Sequence, residues 1–223
     1  MECFTCSRCL PRVDGKIDPR QYSRKGHSTT DAPLYMLQAT YEAVDSGEAS
    51  ARIFFADLTK GFDLIDHSIL KQELANLENP PSLLAWIAAF LTNRMQAVRI
   101  GGTLWDWLTL KGGLPQGTKL GVILFTVLTN KLVSTGGVPL INWFVDASSA
   151  LELIPRISNS LLNLVASDIH SFAMTHNRRL NPMKCKEMHI NFNCLINPII
   201  VGNAIERVNT YKILAVIMDK VHF

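Results

Sequence analysis

A short apolar segment that ends on an acidic residue constrains this chain more than any other feature. Ile53-Phe54-Phe55-Ala56 favours a buried strand, and Asp57 follows it directly, before Thr59-Lys60-Gly61 turns the chain away. An ionised carboxylate inside a protein core costs several kcal/mol unless it is paired or bound to a metal. We therefore expect Asp57 at the rim of a sheet, facing a cation, although an aspartate that only caps a turn would give the same local pattern.

Length and composition indicate a globular, intracellular protein. The 223 residues suffice for one large or two small domains, and 48% of them are hydrophobic. No apolar run reaches the ~18 residues that a bilayer-spanning helix needs, and the residues after Met1 lack the order of a secretion signal. The formal charge of +3 permits nucleic acid binding without demanding it, because clustering of basic residues matters more than their sum.

Five cysteines without a secretion signal argue against a disulfide framework. Cys3, Cys6 and Cys9 have a spacing that could hold part of a zinc site, but no fourth ligand lies close in the sequence. We expect no structural zinc there. Residues 1–20 are interpreted as a loose N-terminal leader, and residues 21–223 as the folded domain.

Helical and extended patterns alternate through the rest of the chain. Caps and apolar periodicity predict helices over residues 31–44, 66–77, 80–91, 121–134 and 158–176. Extended patterns predict a hairpin about Gly101-Gly102, a strand over 140–145 that turns back at Ser148 and Ser149, a strand over 188–192, a hairpin about Gly202-Asn203 and a last strand over 211–218. Trp105 and Trp107 are expected to pack on a neighbouring element rather than to stack on bases.

This order of elements suits an α+β fold, with an antiparallel sheet and helices on one face. Asp57 and Asp146 would then both stand at strand ends on one edge of the sheet, where they could share divalent cations. Phosphoryl transfer by two Mg²⁺ about 3.5–4 Å apart uses one ion to activate the attacking hydroxyl and both to spread charge. Such a site usually needs three carboxylates, because the two ions together carry four positive charges.

A polar loop containing Arg24 and Lys25 precedes Gly26 and the first predicted helix. Basic residues beside a glycine and a helix start suit phosphate binding, although such loops are also common surface turns. Weak, salt-sensitive RNA binding through basic side chains is one hypothesis, and scattered solvated charges are the equal alternative. The candidate side chains are Arg24, Lys25, Lys119, Arg178 and Arg179.

Five segments follow one another as ADLTKGFDLIDHSIL, GGLPQGTKLGVILF, FVD, LNPMKCKEMHINF and YKILAVIMD. In this order and spacing they resemble the palm motifs of reverse transcriptases. Their sequences are most similar to those of non-LTR retrotransposons. The earlier segment QYSRKGHSTTDA resembles the fingers segment that precedes the palm. The resemblance implies a polymerase palm-type fold with part of the fingers and no thumb, and RNA-directed DNA polymerase activity on an RNA template, a DNA primer and deoxynucleoside triphosphates.

The resemblance also assigns catalytic roles to individual residues. Asp57 and Asp146 would be ligands of the metal ions, Mg²⁺ or Mn²⁺. Lys184 matches the lysine that protonates the leaving pyrophosphate, which is a general-acid role.

Other positions match residues that surround the incoming nucleotide. Phe62 would be the aromatic gate that collides with a ribose 2′-OH, and Gln116 and Gly117 would line the nucleotide pocket. Arg24 and Lys25 match, less closely, basic fingers residues near the triphosphate.

One departure from the family pattern concerns Ala147. Where the family reads aromatic-x-Asp-Asp, this chain reads Phe144-Val145-Asp146-Ala147, so the site is one carboxylate short. Glu152 lies nearby in sequence, but the resemblance gives it no metal role, and Ala215 replaces a glycine that the family prefers. The sequence therefore predicts a catalytically degenerate reverse-transcriptase domain fragment, with an active polymerase fragment or a non-catalytic RNA-binding module as alternatives.

Overall fold

Two compact units make up the chain in the computed structural model, which describes residues 2–47, 49–59, 61–132, 140–144, 147–156, 158–191, 196–214 and 216–220. The first unit contains residues 1–17 and 60–129, and the second contains residues 18–59 and 130–223. The helices are α1 Glu2–Val13, α2 Asp31–Asp45, α3 His67–Asn76, α4 Pro81–Leu91, α5 Lys119–Thr129 and α6 Leu162–Thr175. The strands are β1 Ala49–Asp57, β2 Met95–Gln96, β3 Arg99–Ile100, β4 Thr103–Leu104, β5 Leu108–Thr109, β6 Leu140–Phe144, β7 Ala147–Pro155, β8 Lys186–Ile190, β9 Ile200–Val201, β10 Asn203–Ala204, β11 Glu206–Arg207, β12 Thr210–Ile213 and β13 Val216–Asp219.

The N-terminal segment is helical, whereas the sequence suggested a loose leader. Cys6, Cys9 and Val13 are buried along one side of α1, and this helix packs against α5. Their spacing of three and four residues is the spacing of a helical stripe, which the proline and charged residues around them concealed. Burial raises the pKa of the Cys9 thiol to about 11, so this sulfur is held as a neutral, packed side chain.

The rest of the first unit consists of α3, α4, α5 and one long hairpin. Asp66 caps α3 as predicted, because its carboxylate accepts a hydrogen bond from the Ser68 backbone N–H at 2.7 Å. The hairpin contains β2 to β5 and turns at Gly101-Gly102, also as predicted. Trp105 and Trp107 are both exposed on this hairpin, so the expectation that they pack on a neighbouring element is wrong.

The second unit is built on a five-stranded sheet in the order β11-β8-β1-β7-β6. All neighbouring pairs are antiparallel except β8 and β11, so the palm-type antiparallel sheet is confirmed with one parallel edge. The central position of β1 explains its continuous run of buried residues from Ala51 to Ala56, because a central strand is covered on both faces.

Other elements pack on both faces of this sheet, whereas the sequence suggested helices on one face. Phe54 and Ala56 pack with the buried stripe of α6 on one face. Ile53 and Phe55 pack on the other face with Met36 of α2 and with the β12–β13 hairpin. Asp57, the last residue of β1, is only partly buried.

Two segments in the second unit differ from the sequence prediction. Ser148 and Ser149 lie inside β7 and are buried, so the expectation that they turn the chain is wrong. The predicted strand over 211–218 is a hairpin, in which Leu214 has a positive φ of 54°.

Within the described parts of the chain, no helix is both long and apolar enough to span a bilayer.

Candidate active site

Asp57 lies at the end of β1, beside one cationic group. The Nζ atom of Lys184 stands 4.0 Å from its Oδ1 atom, and the two side chains are 38% and 67% exposed. The predicted strand-end carboxylate facing a cation is therefore present. Since both groups are well solvated, the ion pair itself contributes little to stability.

Lys184 lies near Asp57 because backbone hydrogen bonds hold its loop against the end of β1. The backbone N–H of Asn181 donates to the Asp57 carbonyl at 2.9 Å, and Thr59 N–H donates to the Arg179 carbonyl at 2.9 Å. Behind the strand, the Asp57 N–H points to the Sγ atom of Cys185 at 3.4 Å. Burial raises the pKa of the Cys185 thiol, so it acts as a neutral support.

Ala147 is the register partner of Asp57 in the sheet. In the register of β1 and β7, the Cα partner of Asp57 is Ala147, and Ala147 also pairs with Phe144 of β6. The second predicted metal ligand, Asp146, lies outside the described residues, as does Ala215. The position at which the family carries its additional aspartate thus lies directly opposite Asp57, and here it offers a methyl group.

The described residues supply one of the two predicted acidic ligands for divalent ions, since Asp146 lies outside them. Mg²⁺ and Mn²⁺ prefer carboxylate oxygens, and at this edge of the sheet the described acidic ligand is Asp57, already 4.0 Å from an ammonium group. Among the residues that the structure describes, no cluster of three histidine, cysteine or acidic side chains could hold a metal ion.

The glycine-rich segment in the first unit is hydrogen-bonded to residues 62–65 of the first motif, and we call this contact the Gly113 clamp. Gly113 N–H donates to the Ile65 carbonyl at 2.9 Å, and Leu114 N–H donates to the Phe62 carbonyl at 2.8 Å. Gly113 has a φ of +83°, and a Cβ atom there would lie 2.8 Å from the Asp63 carbonyl oxygen. Only glycine fits this close approach of two backbones, which explains the residue type at this position.

The predicted nucleotide-pocket residues lie beside this clamp. The Gln116 amide donates to Asp63 Oδ1 at 3.1 Å, and both side chains line an open cavity of about 650 Å³. Phe62 is half-buried, and its ring stacks on Phe125 with centroids 4.7 Å apart. Gly117 has a φ of +77°, and a Cβ atom added there would meet no atom within 4 Å. Asp63 is a neighbour of Gln116 that the sequence analysis missed, because nothing in the spacing marks it as a partner.

The basic residues predicted to bind phosphate or RNA differ in accessibility. Lys25, Lys119 and Arg179 are exposed, and Arg24 is partly buried in the turn before Gly26. Arg178 is fully buried, and burial lowers the pKa of its guanidinium to about 10. Arg178 is therefore wrong as an RNA contact.

Glu152 belongs to a buried ionic cluster rather than to the catalytic edge. Its carboxylate accepts from Ser160 Oγ at 2.5 Å and from the backbone N–H groups of Leu161 and Leu162, at the start of α6. Ser160 in turn accepts from Arg52 of β1 at 2.7 Å. This position explains why α6 begins later than the sequence suggested, since a buried carboxylate caps it.

Comparisons with known proteins agree with the sequence motifs. The family profile described as "Reverse transcriptase (RNA-dependent DNA polymerase)" matches residues 7–218. The RNA-directed DNA polymerase from mobile element jockey of Drosophila funebris is 25% identical over 210 residues, which cover 88% of this chain and 22% of that protein. A probable RNA-directed DNA polymerase from transposon BS of Drosophila melanogaster is 28% identical over 109 residues, covering 49% of this chain and 12% of that protein.

Solved structures show the same fold at low sequence identity. Telomerase from Candida albicans, in complex with a fragment of telomeric RNA, aligns with a TM-score of 0.64 at 12% identity, over 98% of this chain and 36% of that chain. A truncated apo telomerase from Candida tropicalis aligns with a TM-score of 0.62 at 12% identity, over 98% of this chain and 44% of that chain. The chain spans less than a quarter of the length of its two transposon relatives. This protein belongs to the reverse transcriptase family, and its relatives are RNA-directed DNA polymerases of non-LTR transposable elements.

Proposed function

We propose that this chain is a catalytically degenerate reverse-transcriptase domain, derived from a non-LTR retrotransposon, that no longer extends a primer. The observation that carries this proposal is the register of β1 and β7, which sets Ala147 opposite Asp57. A methyl group supplies no oxygen to a cation, so the metal site lacks one ligand and one negative charge. Mg²⁺, the ion that the family implies, would activate the attacking hydroxyl and spread charge on the phosphoryl group.

The remaining parts of the site support descent from an active enzyme. Lys184 stands beside Asp57, and the Gly113 clamp keeps Gln116 and Phe62 in one unit. An RNA template, a DNA primer and deoxynucleoside triphosphates are the ancestral partners that this proposal implies. Loss of a single ligand would weaken the hold on the ions, and misplacing a reacting group by about 1 Å can cost ~100-fold in rate.

The test compares the unmodified protein with Ala147→Asp. We expect no primer extension on an RNA template by the unmodified protein with Mg²⁺ or Mn²⁺. Ala147→Asp should raise Mn²⁺ affinity about tenfold, because a carboxylate about 4 Å from a divalent ion adds both an oxygen ligand and a charge. Ile217→Asp is the matched control, since it adds the same charge at an exposed position of β13.

The competing function is an active RNA-directed DNA polymerase. The Asp57–Lys184 pair favours it, because the two predicted catalytic groups that the structure describes lie within reach of each other. If the unmodified protein extends a primer and Asp57→Ala abolishes that synthesis, Ala147 is tolerated and the proposal of degeneracy is wrong.

A further inference from the structure

The hairpin of the first unit exposes apolar side chains that the proposed chemistry does not use. Two of its residues, Leu108 and Ile100, are 70% and 64% exposed. Six large apolar side chains within residues 95–110 are each at least 54% exposed, and we call them the hairpin surface: Met95, Ile100, Leu104, Trp105, Trp107 and Leu108. Such a concentration of apolar side chains in water marks an interaction site on a soluble protein.

Apolar side chains project from both faces of this hairpin. Ile100 pairs with Thr103, and Arg99 pairs with Leu104, in the register of β3 and β4. Because successive residues of a strand point to opposite faces, Ile100 and Leu104 lie on opposite faces, and both are exposed. A two-stranded hairpin that nothing covers is marginally stable in water. A partner that packs on it would therefore bury apolar surface and stabilise the hairpin as well.

The hairpin surface is large enough for a stable interface. A whole aromatic side chain presents about 150–250 Å² when it is uncovered, so the six side chains at their exposed fractions present roughly 700 Å². Each partner in a standard protein–protein interface contributes about 600–1,000 Å². Tryptophan is also among the residues that dominate the binding energy of such interfaces. One copy of the hairpin surface thus supplies one side of an interface of ordinary size.

The charges of the hairpin are balanced. Within residues 95–110, Arg99 is the one cation and Asp106 is the one anion. Both are exposed, and neither forms an ion pair with a described residue. Arg99 lies on β3, and Asp106 lies on the returning side, between β4 and β5. A surface with one cation on one side and one anion on the other is complementary to a second copy of itself.

We propose that the hairpin surface joins two copies of this chain in a symmetric dimer. A two-fold interface uses the same patch on both copies, so each contact between two different residues occurs twice. Arg99 of each copy would pair with Asp106 of the other, and the tryptophans of the two hairpins would pack together away from water. The two ion pairs fix how the hairpins align, and the apolar contacts supply most of the affinity.

The same charges disfavour a membrane surface as the partner. Peptide segments that lie on a bilayer carry an excess of Lys and Arg beside their apolar side chains. Asp106 stands between Trp105 and Trp107 in the sequence, so an anionic bilayer would repel it where the rings insert. The one cation and the one anion of residues 95–110 cancel, which also leaves no attraction for a strongly acidic or basic partner.

Sedimentation velocity of the full chain tests the charge alignment. The unmodified protein should form a dimer with a dissociation constant in the micromolar range or below. Arg99→Asp alone and Asp106→Arg alone should each raise that constant about tenfold or more, because each variant sets like charges against each other twice across the two-fold axis. An equimolar mixture of these two variants should recover dimers to within about threefold, since every charged contact in the mixed dimer joins opposite charges.

Trp105→Ser combined with Trp107→Ser tests the apolar part of the interface. This variant should raise the dissociation constant about 30-fold or more, because tryptophans that become buried in an interface carry a large share of its binding energy. Its circular dichroism spectrum should match that of the unmodified protein, since both side chains are exposed. Lys71→Asp is the matched control, because it reverses an exposed charge on α3 in the same unit and should leave the constant within about twofold.

These measurements do not depend on primer extension, so they are separate from the test of Ala147. Three outcomes would each overturn the dimer proposal. The first is a protein that stays monomeric up to about 100 μM. The second is a pair of charge variants that dimerise as well as the unmodified protein, or whose mixture recovers no dimer. The third is a monomer that co-sediments with vesicles of phosphatidylcholine and phosphatidylserine and loses that binding in the tryptophan variant, which would make a membrane surface the partner.

Discussion

One strand, β1, carries an ion pair near each of its ends, and the two pairs differ in almost every physical respect. Near the start, Arg52 contacts Glu187 of β8 at 2.6 Å, and both side chains are at most 1% exposed. At the end, Asp57 stands 4.0 Å from Lys184, with both side chains open to water.

The buried pair is fully supplied with hydrogen bonds. Arg52 donates to Glu187, to Ser160 and to the Asn197 carbonyl. Glu187 also accepts from His189 at 2.5 Å and from Arg207 at 3.3 Å. Such complete pairing is what allows charges to persist in a core at all, because an unpaired buried charge costs several kcal/mol.

The exposed pair has the opposite character. Lys184 lies 4.0 Å from Asp57, and water screens the attraction between them. The carboxylate is therefore accessible to an incoming cation. The difference teaches that β1 presents an accessible acid, the candidate site residue Asp57, at its end, whereas its buried and hydrogen-bonded cation, Arg52, supports the fold.

The largest expected effect comes from breaking the buried pair. Glu187→Ala should lower the free energy of unfolding by about 3–5 kcal/mol, because it leaves the Arg52 cation buried without its partner. Urea denaturation followed by circular dichroism measures this change.

Two further variants sharpen this prediction. Arg52→Met combined with Glu187→Leu should recover part of the loss, since it removes both charges and keeps apolar volume. Asp57→Asn at the other end of β1 should change stability by no more than about 0.5 kcal/mol. A double variant as unstable as Glu187→Ala, or a large loss in Asp57→Asn, would remove the distinction between the two ends.

The pH dependence of stability should also come from the buried end. Burial alone would raise the pKa of Glu187, but hydrogen bonds from His189 and Arg52, with their charges, lower it to about 2. Because the folded pKa lies below the unfolded value of about 4.3, this contribution is complete above that value. It is lost progressively as the pH falls toward about 2.

Denaturation curves of the unmodified protein and Glu187→Gln at several acidic pH values measure this contribution. The stability difference between the two proteins should shrink between about pH 5 and pH 2. Glu206→Gln is the control, because Glu206 is exposed and pairs with Lys186 at the surface. A constant difference between the unmodified protein and Glu187→Gln would mean that Glu187 keeps an ordinary pKa.

Much of the fold follows from local sequence signals. The apolar run from Ile53 to Ala56 predicted a buried strand, Asp66 predicted a helix cap, and Gly101-Gly102 predicted a hairpin turn. Local signals failed where a distant partner decides the structure. Ser148 and Ser149 look like turn residues, but pairing with β1 on one side and β6 on the other makes them strand residues.

The candidate site shows the same limit. Asp57 and Lys184 were found through ordered motifs, and the structure brings them together through the Asn181 loop. Asp63 as the partner of Gln116, and the cluster of Arg52 with Glu187, were not found, because each joins residues far apart in sequence. No spacing rule applies to such pairs.

The smallest expected effect on stability, and the sharpest test of the exposed end, is Lys184→Ala. Removing a solvated ammonium group should change the free energy of unfolding by no more than about 0.5 kcal/mol. The same group competes with any cation for Asp57, so its loss should raise Mn²⁺ affinity about threefold after screening by salt. Mn²⁺ titration of Lys184→Ala beside Lys220→Ala, which removes an exposed lysine elsewhere in the second unit, separates this competition from a general change in charge. If Lys184→Ala instead destabilises the fold by more than about 1.5 kcal/mol, the Asp57–Lys184 pair supports the fold as the Arg52–Glu187 pair does. The distinction between a buried structural pair and an exposed, accessible pair on β1 would then be wrong.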